Sequence, residues 1–166
     1  MDNPQVLIVM GSESDLQVME EGAKVLAEFG IPCEMRISSA HRSPKNTAAL
    51  AEGAAARGIR VIIAGAGMAA HLAGVMAAST VLPVIGVPME GGALNGVDAL
   101  YSTVQMPGGI PVAAMAIGKA GAKNAGIFAV QILAVGDAKL TAALVSYREQ
   151  MADAVAERDR KLRQND

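Results

Sequence analysis

Five short apolar runs, each followed by a stretch with helical spacing, leave this chain few folds to choose from. The runs are VLIVM (6–10), CEMRIS (33–38), VIIAGA (61–66), PVIGVP (83–88) and VAAMAI (112–117). Nearly unbroken apolar runs such as the first and third suit parallel strands buried on both faces. CEMRIS alternates Cys33, Met35 and Ile37 with Glu34, Arg36 and Ser38, as an outer strand does. Between the runs, Leu16, Met19, Ala23, Leu26 and Ala27 keep one helical face, with Ser14 and Gln17 as a capping box and Gly30 as a stop. Ser43-Pro44 opens a second helix, Ser as N-cap and Pro at the first position, that runs to about Arg57 before Gly58. Further helices are expected near 69–79, 96–104 and from 124 to about 135, and Asp137 caps a long last one.

Strand and helix in strict alternation, with short connections, give an open parallel sheet covered on both faces. Five strands suit the flavodoxin-like order better than a six-strand dinucleotide fold. The expectation is a three-layer α/β/α sandwich, one domain over 1–166, with a long C-terminal helix. Hydrophobic residues make up 52% of the chain and aromatic ones only 2%. The core is therefore built from Val, Ile, Leu, Met and Ala, so its elements must pack closely, and an oligomer would bury more surface. On the last helix Leu140, Leu144, Tyr147, Met151 and Val155 mark an apolar stripe ahead of the charged ERDRKLRQND. That helix either projects onto a neighbouring subunit or lies on its own sheet with a frayed tail.

A net charge of −2, no Trp, two Tyr and two Phe argue against nucleic acid as a partner. The lone Cys33 excludes an internal disulfide framework, and its place in a strand suits a buried structural thiol. The N-terminus enters a strand at once, unlike a signal peptide, and Gly and Pro break every apolar stretch before it could span a bilayer. A cytoplasmic protein with no membrane partner is the expectation.

In such folds ligands bind outside the carboxyl ends of the strands. GSESD (11–15), SSAHRS (38–43) and GAGMAAHL (65–72) all fall there and hold both histidines of the chain. Helix N-termini and Arg42 suit a phosphate. Ser12 and Ser39 add hydroxyls, and Asp15 can accept from ribose hydroxyls. His41 can trade a proton near neutral pH. The set reads as a site for a ribose-phosphate ligand plus a proton transfer. Each residue also has a plainer explanation: Ser12, Ser14 and Ser43 as caps, Asp15 as a dipole partner, His41 and Arg42 as solvated surface, His71 as a satisfied core histidine. Their coincidence at three strand ends favours a site. GAGMAA (65–70), with Glu90 after the next strand, matches the dinucleotide pattern but lies in the third unit and leaves SAHR without a role. Two histidines without matching carboxylates do not define a metal site.

Taken together, MGSESD, SAHR, IIAGAGMAAHL, PVIGVP, LNGVDAL, VQMPGGIPV and KNAGIFAVQIL resemble, in this order from Val6 to about Leu133, the N5-carboxyaminoimidazole ribonucleotide mutases of purine biosynthesis. The resemblance implies a flavodoxin-like homo-octamer with sites at subunit contacts. It implies transfer of a carboxyl group from the exocyclic nitrogen of an aminoimidazole ribonucleotide to C4, without metal, biotin or ATP. By resemblance Ser12, Asp15 and Arg42 bind the nucleotide, while Ser39, Ala66, Gly67 and Leu72 complete the substrate site. His41 is then the acid/base, and His71 is the supporting catalytic residue. A sister class carboxylates aminoimidazole ribonucleotide directly with carbon dioxide; the AAHL segment is similar to the mutase class. Those two activities and a non-catalytic nucleotide-binding module are the competing readings.

The chain departs from the mutase pattern at Met68, where a glycine is usual, at Ala73, where a proline is usual, and at Ala99, where a serine is usual. Met68 puts a side chain where the backbone calls for positive φ. Ala73 is expected to loosen a loop beside the carbon dioxide pocket. The departures leave open a paralogue acting on a related ribonucleotide.

Overall fold

The computed structural model describes residues 3–164; the two residues at each end of the expected 1–166 domain lie outside the described residues. In chain order the elements are β1 (Val6–Met10), α1 (Leu16–Glu28), β2 (Cys33–Ile37), α2 (Pro44–Glu52), β3 (Val61–Ala66), α3 (Leu72–Ala78), β4 (Val84–Pro88), α4 (Val97–Val104), β5 (Ala113–Ala114), α5 (Lys119–Ala134) and α6 (Ala138–Arg163). Every strand pairing is parallel, and the order is β2-β1-β3-β4-β5, the flavodoxin-like order. The chain divides between Val130 and Gln131 into two compact units. The first contains the sheet, and the second contains α6.

All of β1 is buried, as its apolar run requires, with Met10 in register with Ile37 on one side and Gly65 on the other. On one face of the sheet, Leu7, Val9, Ile62, Ala64 and Val84 join Ala51 of α2 and Leu72, Ala73 and Met76 of α3 in one core. On the other face, α1 and α5 meet backbone to backbone. A Cβ on Gly22 would stand 2.9 Å from the Ala122 carbonyl oxygen, and one on Gly126 would stand 2.8 Å from that of Gly22. A core without aromatics closes its layers this way. It also moves the buried stripe of α1 to Met19, Gly22, Val25 and Leu26, leaving Ala27 exposed.

Several boundaries differ from the sequence reading. Ser12, not Ser14, is the cap: its Oγ accepts from the Ser14 N–H at 3.4 Å and opens a short 3-10 turn before α1. Ser43 precedes Pro44 as expected but caps nothing, because its hydroxyl donates to the Ser39 carbonyl at 3.0 Å. α2 stops at Glu52, and Gly58, at φ +89°, ends a separate 3-10 turn. α3 begins at Leu72, three residues later than expected, after a turn in which Met68 is left-handed at φ +54°. Ala73 therefore sits inside a helix and is buried, not in a loop. β5 keeps only two residues, and α5 starts at Lys119, directly after the left-handed Gly118.

Asp137 caps α6 as expected, accepting from the N–H groups of Lys139 and Leu140 at 2.9 and 3.1 Å. None of the residues of α6 is buried. Among the described residues no helix is long and apolar enough to cross a membrane.

Candidate active site

The loops after β1, β2, β3 and β4 open onto one cavity of about 340 Å³ at the carboxyl ends of the strands. It lies where the chain order reverses around β1, the place at which an open α/β sheet leaves a crevice. The fold brings all nine expected residues to its wall: Ser12, Asp15, Ser39, His41, Arg42, Ala66, Gly67, His71 and Leu72. Leu72 is almost entirely core and offers the cavity little surface.

The two histidines touch. His41 Nε2 lies 2.7 Å from His71 Nδ1, with the rings edge-on at 76° and their centroids 4.7 Å apart. One hydrogen is shared between those nitrogens, so His41 Nδ1 is the nitrogen left for a ligand. His71 is exposed at the start of α3 and is not a satisfied core histidine.

Ser39 organises the loop after β2. Its Oγ accepts from both the backbone N–H and Nε of Arg42, at 3.2 and 3.3 Å. The Arg42 Nη2 reaches the Gly11 carbonyl after β1 at 3.4 Å. The loop begins firmly: the Ser38 N–H donates to the Met10 carbonyl at 2.9 Å, and the buried Ser38 and Thr47 hydroxyls are 2.8 Å apart. Asp15 is half-buried. Burial raises its carboxyl above the ordinary 3.8, partly opposed by hydrogen bonds from the Ser14 hydroxyl and the Ser12 backbone. A carboxylate desolvated in this way gains from any hydroxyl donor a ligand brings.

Met89, Glu90 and Gly91 also line the cavity, as do Gly11, Ser14, Ala40, Met68 and Ala69. Of the residues after β4, the sequence reading noticed only Glu90, as part of the dinucleotide-like pattern, and placed none of them in the site, because it followed the histidines across three strand ends. The same rule of carboxyl ends, extended to a fourth, would have found them. The dinucleotide-like glycine pattern has a packing explanation: Gly65 lies within β3, and a Cβ there would stand 2.5 Å from Met19 Sδ and Met89 Cε. Gly92, at φ +63°, leaves the space that the Met68 side chain takes. Cys33 is half-buried on β2, away from the cavity wall, and burial raises its thiol. Among the described residues no group of three or more His, Cys, Asp or Glu side chains could hold a metal ion.

Fold and cleft together define a flavodoxin-like α/β protein with a polar site at its switch point. The chain belongs to the AIR carboxylase family, which it matches over residues 5–154. It is 52% identical over 161 residues to the N5-carboxyaminoimidazole ribonucleotide mutase of Mycobacterium tuberculosis, covering 97% of this chain and 91% of that protein. It is 52% identical over 162 residues to the phosphoribosylaminoimidazole carboxylase of Schizosaccharomyces pombe, covering 98% of this chain but 29% of that protein. In structure it is similar to Treponema denticola PurE, with a TM-score of 0.86 and 32% identity over 96% of this chain and 98% of the other.

Proposed function

We propose that this chain is an N5-carboxyaminoimidazole ribonucleotide mutase of purine biosynthesis, working in the cytoplasm as a homo-octamer and without a metal or cofactor. The contact between His41 and His71 inside the cavity beside Arg42 and Asp15 carries the reading. The M. tuberculosis mutase, alike over nearly the full length of both chains, supports it.

In this reaction the bond from the exocyclic nitrogen to its carboxylate breaks, carbon dioxide leaves, and the nitrogen takes up a proton. C4 then adds to the carbon dioxide, and the proton on C4 leaves to restore the aromatic ring. One proton is taken up and one released, so a single histidine can return to its starting state. To act as a base at C4, His41 keeps the lone pair of Nδ1 free, which requires its Nε2–H to donate to His71 Nδ1. His71 thereby sets the tautomer of its neighbour. Arg42 and Ser12 hold the phosphate, Asp15 the ribose, and Ser39, Ala66, Gly67 and Leu72 the remaining wall. Met68, Met89 and Ala69 give the cavity apolar surface against which carbon dioxide is retained and water excluded. Holding both fragments together makes the recombination effectively unimolecular.

The octamer has its own support. Val97, Tyr101 and Val104 form one exposed apolar face of α4, with Leu94 just before it. α6 buries none of its residues, although Met151 and Val155 belong to its apolar stripe.

The S. pombe relative, named a carboxylase, favours a second reading, direct carboxylation of aminoimidazole ribonucleotide. One assay separates them. The mutase converts the N5-carboxy substrate to the 4-carboxy product in buffer depleted of carbon dioxide. Turnover of aminoimidazole ribonucleotide only when bicarbonate is supplied establishes the carboxylase. Inertness toward both compounds leaves the nucleotide-binding module.

A further inference from the structure

Three large apolar side chains reach the wall of the active-site cavity: Met68, Leu72 and Met89. Leu72 and Met89 are each 2% exposed, so packing holds them in place. Met68 is 60% exposed and stands at the rim. Its backbone is left-handed at φ +54°, a conformation that costs energy for any residue with a Cβ. Burial of the side chain could offset that cost, but this one stays mostly in solvent. Strain that packing does not explain, held inside a site, points to function.

The Met68 side chain has a bed. A Cβ on Gly92 would stand 3.4 Å from Met68 Cγ and 3.9 Å from Sδ and Cε, so the thioether runs along the bare backbone of Gly92. Gly92, itself left-handed at φ +63°, is not part of the cavity wall, and Met68 stands between it and the cavity. At the root of the two loops the Met89 N–H donates to the Ala66 carbonyl at 2.9 Å and ties the end of β3 to the end of β4. From that fixed root the Met68 side chain spans one loop to the other. We infer that Met68 is the cover over the reacting carbon dioxide, and that its reach decides whether the freed gas recombines at C4 or escapes to solvent.

The inference rests on the mutase reading and assigns a specificity-determining residue to it. Once the nitrogen–carboxylate bond breaks, carbon dioxide has two fates. Attack by C4 gives the 4-carboxy product, with the C4 proton released and one proton taken up by the nitrogen. Escape leaves aminoimidazole ribonucleotide, whose nitrogen takes its proton from water. Carbon dioxide is uncharged and has no hydrogen to donate, so it is retained by an apolar surface that shuts out water. Gly67, Ala69 and Gly91 beside Met68 are too small to close the rim. An unbranched thioether adapts to the irregular gap that they leave.

The test follows the carboxyl carbon. Wild type receives N5-carboxy substrate labelled with carbon-13 in that carboxylate, in buffer holding unlabelled bicarbonate. Its 4-carboxy product should keep the label. Met68→Gly should lose label several-fold more often and release aminoimidazole ribonucleotide above the enzyme-free blank. Its denaturant midpoint should stay at or above that of wild type, because glycine relieves the left-handed strain. Met68→Ala keeps the strain without the cover, so it should leak as the glycine variant does and unfold earlier than it. Label retained by both variants overturns the inference and leaves the mutase reading standing. Label scrambled by wild type also overturns it, since no cover then exists. Label lost together with smaller species in light scattering overturns it as well, because Met68 would then be a contact between subunits. A wild type that does not convert the N5-carboxy substrate removes the mutase reading, and the inference falls with it.

Discussion

His41 Nε2 and His71 Nδ1 are 2.7 Å apart although thirty residues separate them in the chain. Parallel pairing of β1 with both β2 and β3 brings the two loops side by side. The proposed roles make the pair unequal. His41→Asn should retain nucleotide while turnover falls by about 10²–10⁴-fold, the usual worth of acid/base assistance. His71→Asn should lose less, because it removes the partner and not the base. A dead His71→Asn beside an active His41→Asn would exchange the roles; two active variants would assign the proton to water or substrate.

Arg42 is held by Ser39 and Gly11 through bonds of 3.2–3.4 Å, long enough to be given up to a better acceptor. Arg42→Ala should weaken nucleotide affinity by about 1.5–3 kcal/mol, the range for a hydrogen bond to a charged group. Affinity measured for the nucleotide and for its dephosphorylated nucleoside decides the point. Only the nucleotide should lose binding.

Asp15 links stability to pH. Burial raises its folded pKa above the unfolded value, so the folded chain binds the proton more tightly. Stability then falls as pH rises from the ordinary value of 3.8 through the raised one, and at neutral pH the charged carboxylate costs stability. Asp15→Asn should therefore melt higher than wild type at pH 7, with the gap closing toward pH 4, while nucleotide affinity drops about tenfold. A lower melting point at pH 7 would make Asp15 chiefly a helix-end residue.

Gly65 tests whether the glycine pattern after Ile63 serves packing. Gly65→Ala drives a methyl into Met19 and Met89, and overpacking of this kind costs about 1–3 kcal/mol. Denaturant midpoints at one fixed chain concentration should show it. An unaltered midpoint would mean that the two methionines move aside.

For the octamer, Tyr101→Glu on the exposed face of α4 should yield smaller species in light scattering, as should truncation before Asp137. A wild-type chain that is a monodisperse monomer rules the assembly out.

The sheet was legible because its information is local. VLIVM and VIIAGA can satisfy their backbones and side chains only as strands covered on both faces, and the intervening periods of 3.6 can only supply the cover. The site was legible in part for the same reason: polar residues clustered at strand ends, and topology does the rest. The region after β4 was not legible as part of this site, because Glu90 drew notice only through the dinucleotide-like pattern, Gly91 belongs to no motif, and both enter the cavity only by virtue of β4 lying beside β3. Element ends also escaped. Ser12 outcompeted Ser14 as a cap, and Ser43 preferred the Ser39 carbonyl, because a hydroxyl chooses among acceptors and donors that only the folded loop presents.

The sequence by itself determined the alternation of elements, the parallel sheet and its order, the small-residue core, and the left-handed strain at Met68, where a bulky residue occupies a glycine's backbone position. Tertiary structure alone decided that His41 and His71 share a hydrogen, that Gly22 and Gly126 let α1 and α5 touch, and that Arg57 keeps a buried N–H group without an acceptor. The reason is range. Periodicity and φ preference act within a few residues and can be read one segment at a time. A hydrogen bond or a close backbone contact depends on angstrom distances between segments, which exist only after the layers have closed.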